Sequence, residues 1–127
     1  MILPATLRYT KDHEWIQLGD DDVATVGITD FAQGELGDIV YVDINTEGQA
    51  LEAGTVFGSV EAVKTVSDLY LPVDGEILEV NPKLNDSPEL VNSDPYGEGW
   101  MIRMKVSDPA TVEALLSAEA YGQLTGA

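Results

Sequence analysis

Short runs in which apolar and polar side chains alternate, rich in β-branched residues and separated by Gly, Pro, Asn and Asp, fill residues 6 to 106. A side chain that changes face at every residue marks a half-buried strand. The pattern predicts strands at Leu7–Tyr9, Glu14–Leu18, Val23–Ile28, Asp38–Asn45, Thr55–Val63, Thr65–Leu71, Gly75–Asn81 and Trp100–Val106. In the last of these, Trp100, Ile102, Met104 and Val106 are expected to face inward, with Met101, Arg103 and Lys105 outward.

The alternation breaks over residues 29–36, where Thr29 or Asp30 can cap a short helix that Gly37 closes. A second break follows the strands. Ser107-Asp108-Pro109 offers a capping oxygen ahead of a first-turn proline, and Ala110 to Leu116 are mostly good helix formers. Ser117 can cap a further helix to about Leu124, which places the C-terminal helices near 109–124. A faint internal echo links Val26-Gly27-Ile28 and Gly37-Asp38-Ile39-Val40 with Phe57-Gly58-Ser59-Val60 and Gly75-Glu76-Ile77-Leu78. Two related half-barrels are implied.

A chain of 127 residues, 44% hydrophobic, is long enough for a single core. The expected organisation is a single domain over 1–127, with a core over 6–106 and a helical segment over 107–124. With 23 acidic residues against 6 basic ones the formal charge is −17. Such a chain repels a nucleic-acid backbone and anionic lipid, and it attracts proteins with basic docking surfaces. No cysteine is present, so disulfides, zinc thiolates and a cysteine nucleophile are excluded. The apolar runs are too short for a bilayer-spanning helix, and the N-terminus lacks signal-peptide and transit-peptide patterns. A cytoplasmic chain starting at Met1 with no membrane association is expected.

The most informative stretch is Gly58-Ser59-Val60-Glu61-Ala62-Val63-Lys64-Thr65-Val66-Ser67-Asp68, which centres on the only cation between Lys11 and Lys83. A turn over Ala62 to Thr65 would present Lys64 at an exposed tip, held by the stiff β-branched Val63 and Val66. Taken alone, such a lysine is most often merely solvated. The flanking text changes that balance: Gly54 and Gly58 precede it, and Gly75 follows within Pro72-Val73-Asp74-Gly75-Glu76-Ile77.

In these residues the chain resembles the lipoyl and biotinyl carrier domains, in which a hairpin-tip lysine is acylated and a glycine follows at about that distance. Biotin carriers usually place methionine on both sides of the lysine; Val63 and Thr65 stand here, so lipoate is favoured and biotin is the alternative. Four further blocks sharpen the likeness: Tyr9-Thr10-Lys11-Asp12-His13-Glu14-Trp15, Gly27-Ile28-Thr29-Asp30-Phe31-Ala32-Gln33, Leu36-Gly37-Asp38-Ile39-Val40-Tyr41-Val42, and Asn92-Ser93-Asp94-Pro95-Tyr96-Gly97-Glu98-Gly99-Trp100-Met101-Ile102. In order, from about Leu7 to Leu124, they resemble the glycine cleavage H proteins.

That resemblance implies a mainly β, barrel-sandwich hybrid of the lipoyl/biotinyl type and a non-catalytic carrier with lipoic acid in amide linkage to Lys64. The implied cycle takes the aminomethyl group of glycine from a pyridoxal-phosphate-dependent glycine decarboxylase to a folate-dependent aminomethyltransferase, after which dihydrolipoamide dehydrogenase reoxidises the arm. A lipoate ligase or octanoyltransferase would load it. An H-like protein that donates its lipoyl group to other carriers, or acts as an interaction module, is the other non-enzymatic alternative.

A sulfur-bound aminomethyl group is prone to hydrolysis, so the loaded arm gains by folding into a cleft that excludes water and offers carboxylates to the ammonium. The resemblance points to Glu14 first, then Asp68, with Asp12 weaker; Glu35 is given no role. Successive residues on an extended strand face opposite ways, so Asp12, His13 and Glu14 are not expected to form a catalytic triad, and His13 is read as structural. Asp94 to Gly99 is read as a tight loop serving fold and docking, and Trp15 and Trp100 as packing residues.

Overall fold

The computed structural model describes residues 3–126; Met1, Ile2 and Ala127, the ends of the expected 1–127 domain, lie outside the described residues. Antiparallel strands build two sheets. The larger joins β1 (Arg8–Tyr9), β2 (Glu14–Leu18), β3 (Val23–Ile28), β5 (Ala50–Leu51), β8 (Gly75–Val80) and β9 (Ile102–Val106) in the order β1-β2-β3-β9-β8-β5. The smaller has β4 (Ile39–Asp43), β6 (Val56–Ala62) and β7 (Val66–Tyr70) in the order β4-β6-β7. Each echoed half of the sequence crosses between the sheets, from β3 to β4 and from β6 to β8. Apolar side chains of both sheets, among them Ile16, Val26, Val60, Leu69, Ile77 and Met104, meet in one buried cluster.

Helix α1 (Asp30–Leu36) bridges the sheets, with the Thr29 hydroxyl accepting from the Ala32 amide and Gly37 ending it at φ 82. That positive φ suits a residue without a Cβ. Two four-residue helices, α2 (Lys83–Asp86) and α3 (Leu90–Ser93), and the two-residue β5 arise where no strand or helix was predicted. The C-terminal segment folds as α4 (Ala110–Glu113) and α5 (Ala118–Thr125), the latter capped by Ser117. α5 docks through a second apolar cluster of Leu7, Tyr9, Trp15 and Tyr121, where the rings of Tyr9 and Tyr121 stack at 4.9 Å. No helix among the described residues is long and apolar enough to cross a membrane.

The expected outward orientation of Met101 is overturned. The ladder of β9 starts only at Ile102, so strand alternation does not govern residues 100 and 101. The Met101 amide donates to the Val26 carbonyl at 2.8 Å and its carbonyl accepts from the Asn81 amide at 2.9 Å, which pins its side chain in the main core. Trp100, expected inward, is half-buried; it packs against the second cluster and carries the Arg103 guanidinium 4.3 Å from its ring centre.

Candidate functional site

Lys64 lies in the short connection between β6 and β7, its side chain in solvent. The Ala62 amide donates to the Thr65 carbonyl at 2.7 Å and closes the turn, while the Val63 amide donates to the Asp38 carbonyl at 3.1 Å and ties it to the start of β4. No residue of this turn has a positive φ, a geometry that the β-branched Val63 adopts without strain. The amine is therefore displayed from a hairpin anchored on two sides.

Beside it opens a cleft of about 370 Å³, lined by Lys64, Val63, Asp38 and the C-terminal end of α1 at Glu35 and Leu36. Glu35 and Leu36 also line a second cleft of about 370 Å³, which runs under α1 past Phe31 to Glu14. Glu35 and Leu36 are common to both linings, so the two clefts lie side by side at the C-terminal end of α1. A larger cleft of about 700 Å³ between the C-terminal helices and Thr10–Asp12 meets the second only at Asp12 and does not reach Lys64.

Glu14 is 2% exposed and has no cation beside it among the described residues. Its carboxylate accepts from the Thr10 hydroxyl at 3.0 Å and from the Tyr70 amide at 3.3 Å. Burial pushes the Glu14 carboxyl up to about 8; the Thr10 and Tyr70 hydrogen bonds pull the other way, and the charge of Asp12 adds to the rise. A buried carboxyl short of counter-charge is predisposed to pair with an entering ammonium.

Asp12, Glu14 and Asp68 all border the second cleft, at different depths. Asp12 is exposed in the β1–β2 turn, and Asp68, also exposed, pairs with Ser59 on the opposite sheet face from the buried Leu69. Only Glu14 is buried there. Sequence reasoning missed Thr10 and Tyr70 as partners of Glu14. Thr10 stands four residues earlier in the same sequence block, a spacing that a hairpin turn brings together; the Tyr70 contact joins residues 56 apart and left no local trace.

His13 does not sit on an extended strand, as the sequence reading assumed, but in a turn, at φ 68. Its ring points away from a triad: Nδ1 lies 2.7 Å from the Tyr121 hydroxyl, which lies 2.8 Å from Oγ1 of Thr29. These contacts tie the turn before Glu14, the N-terminus of α1 and α5 into one wall of the cleft. On the far side, the Asn92 side chain accepts from the Ile39 amide and donates to the Gly37 carbonyl, both at 2.8 Å, which fixes the C-terminal end of α1 beside the Lys64 turn. The Asp94–Gly99 loop receives the indole of Trp15, whose Nε1 donates to the Pro95 carbonyl at 3.0 Å.

Comparison with known proteins supplies an independent line. The family model described as glycine cleavage H-protein matches residues 7–126. A glycine cleavage system H protein of Chlorobium luteolum is 65% identical over 127 residues, covering 99% of both chains, and one of Bacteroides fragilis is 59% identical over the full length of both. The crystal structure of a glycine cleavage system H protein from Mycobacterium marinum superposes with a TM-score of 0.89 at 40% identity, over 98% of this chain and 99% of that one.

Proposed function

The chain belongs to the glycine cleavage H-protein family, and from that premise we propose that Lys64 is the residue through which it carries lipoate, in amide linkage. It is a non-catalytic lipoyl carrier of the glycine cleavage system, folded as one carrier domain. The observation that supports the assignment is an exposed lysine on an anchored hairpin, beside a cleft that adjoins a second one holding a buried carboxyl with no cation next to it. Held in amide linkage by Lys64, a lipoyl group would supply a disulfide able to accept the aminomethyl unit of glycine and pass it between the enzymes of the glycine cleavage system.

The chain's own residues position, shield and neutralise. The hairpin holds the attachment point stiffly while leaving the arm free to swing. The cleft under α1 excludes water from whatever folds into it, and Glu14 waits there with its proton held by burial. An ammonium entering the cleft favours the ionised carboxylate, so Glu14 gives up that proton and accepts a charge-assisted hydrogen bond. Asp68 and Asp12 border the mouth and attract the same cation at longer range.

The test is reconstitution with the decarboxylase and labelled bicarbonate. The lipoylated chain is expected to support glycine-dependent exchange and Lys64→Arg none; exchange supported by the arginine variant would remove Lys64 from the role.

A further inference from the structure

Thr10 and Glu14 face each other across the turn between β1 and β2. The Thr10 amide donates to the Glu14 carbonyl at 2.9 Å and the His13 amide donates to the Thr10 carbonyl at 3.1 Å, which fixes the two residues relative to one another. Three further hydrogen bonds meet at a single atom, Oγ1 of Thr10. The amides of Asp12 and Glu14 both donate to it at 3.2 Å, and it lies 3.0 Å from Oε1 of Glu14. A hydroxyl has two lone pairs and one hydrogen. The two amides occupy the lone pairs, so Thr10 cannot accept from Glu14, and its hydrogen is left one direction in which to point. The hydroxyl is an obligate donor to Oε1. The other carboxyl oxygen is held in the same way: Oε2 accepts at 3.3 Å from the amide of Tyr70, on the edge strand of the smaller sheet, and an amide only donates. Neither partner can take a proton from Glu14. Thr10 lines the larger cleft and Tyr70 neither, so both donors stand outside the cleft that Glu14 borders.

We propose that Thr10 is a positioning residue for the carrier reaction: its hydroxyl, which cannot turn away, presents Glu14 to the cleft as a hydrogen-bond acceptor, ready for the ammonium of the loaded arm. The proposal rests on the reading of Glu14 as the partner of that ammonium. With one lone pair of each oxygen taken by a fixed donor, an entering cation meets a carboxyl already held in place and pays no cost of turning it. The surrounding charges do not do this work. Asp12 and His13 from the same turn, Glu35 from α1 and Asp68 from β7 line the cleft with Glu14, and Tyr121 faces it from α5; three of these are carboxylates and none is lysine or arginine. Burial opposes ionisation of Glu14 most strongly, and the Thr10 hydroxyl is the larger of the two hydrogen bonds that favour it. Removing the hydroxyl therefore leaves the proton on Glu14 to a higher pH.

The experiment follows the Glu14 carboxyl by carbon-13 NMR in the full-length chain labelled at glutamate Cδ, with its signal assigned by its absence from Glu14→Gln. Thr10→Val and the smaller Thr10→Ala both remove the donor, and each is expected to raise the titration midpoint of Glu14 by about one pH unit. Thr10→Ser keeps the hydroxyl and should restore the parent's midpoint. In the lipoylated, aminomethyl-loaded chain, with the aminomethyltransferase left out, Thr10→Val should release ammonia faster than the parent below the parent's midpoint and at the same rate well above it. A midpoint that stays put in both the valine and the alanine variants, or that rises equally in the serine variant, overturns the proposal; lower urea stability without that shift would mark Thr10 as a brace of the turn alone. A raised midpoint with ammonia release unchanged overturns instead the reading of Glu14 as the ammonium's partner, and with it the step that Thr10 serves.

Discussion

The Nδ1 of His13 and the hydroxyl of Tyr121 stand 2.7 Å apart, joining the turn that delivers Glu14 to a helix 108 residues further along the chain. Tyr121 is wholly buried, stacks on Tyr9 and also reaches Thr29, the residue that caps α1. Tyr121→Phe keeps the stacking and removes both hydrogen bonds, leaving polar groups of His13 and Thr29 short of a partner. The expected cost is about 1–3 kcal/mol in urea unfolding. A variant as stable as the parent would mean that this triangle does not brace the cleft.

Glu14 makes stability depend on pH in a direction opposite to that of most carboxylates. Its folded-state value, about 8, lies above the ordinary 4.5, so the folded chain binds the proton more tightly than the unfolded chain. Its contribution is fully present below pH 4.5 and is lost as pH rises towards 8. Glu14→Gln stays neutral throughout. Across that interval the difference in urea stability between the two chains should move in favour of the glutamine variant by a few kcal/mol. Parallel stability curves would show that Glu14 ionises freely.

With Glu14 in its proposed role, the same carboxyl governs how long a loaded arm survives. Glu14→Gln keeps the size of the side chain but loses the charge that pairs with an ammonium. Release of ammonia and formaldehyde from the loaded chain, measured in the absence of the aminomethyltransferase, should accelerate about tenfold, corresponding to loss of one charge-assisted hydrogen bond. Equal decay rates in the parent and the variant would exclude the carboxylate as the anchor.

Gly27 is fixed by contact, not by backbone angle. A Cβ placed there would come within 2.8 Å of Trp15 Nε1, and the indole cannot retreat because the same nitrogen donates to the Pro95 carbonyl. Gly27→Ala should cost about 1–3 kcal/mol and shift tryptophan fluorescence. An alanine variant with the parent's stability and spectrum would show that the indole moves freely.

Much of this architecture is legible in the sequence because local rules and tertiary demands agree. The boundaries of β2 and β3 are marked by the Gly- and Asp-containing turns that flank short apolar runs, and Thr29, Gly37 and Ser117 occupy the capping positions their chemistry suits. β5, α2 and α3 are two to four residues long, too short for a period to register, and they are held by tertiary contacts such as those of Asn81 with the Glu98 and Trp100 carbonyls and of Asn92 with the Ile39 amide. Met101 was misread because alternation was extended two residues, to Trp100, beyond the ladder that enforces it. The turn and exposure of Lys64 could be read locally. The burial of Glu14 could not, because it depends on β7 and α1 closing over the residue from distant parts of the chain.

The central claim concerns one amide bond. The apo chain, incubated with a lipoate ligase, lipoate and ATP, should gain the mass of a single lipoyl group, and peptide mapping should locate it on Lys64, with Lys64→Arg gaining nothing. A chain that stays unmodified while a known lipoyl carrier in the same tube is loaded, or one modified at Lys11, Lys83 or Lys105, would contradict the account.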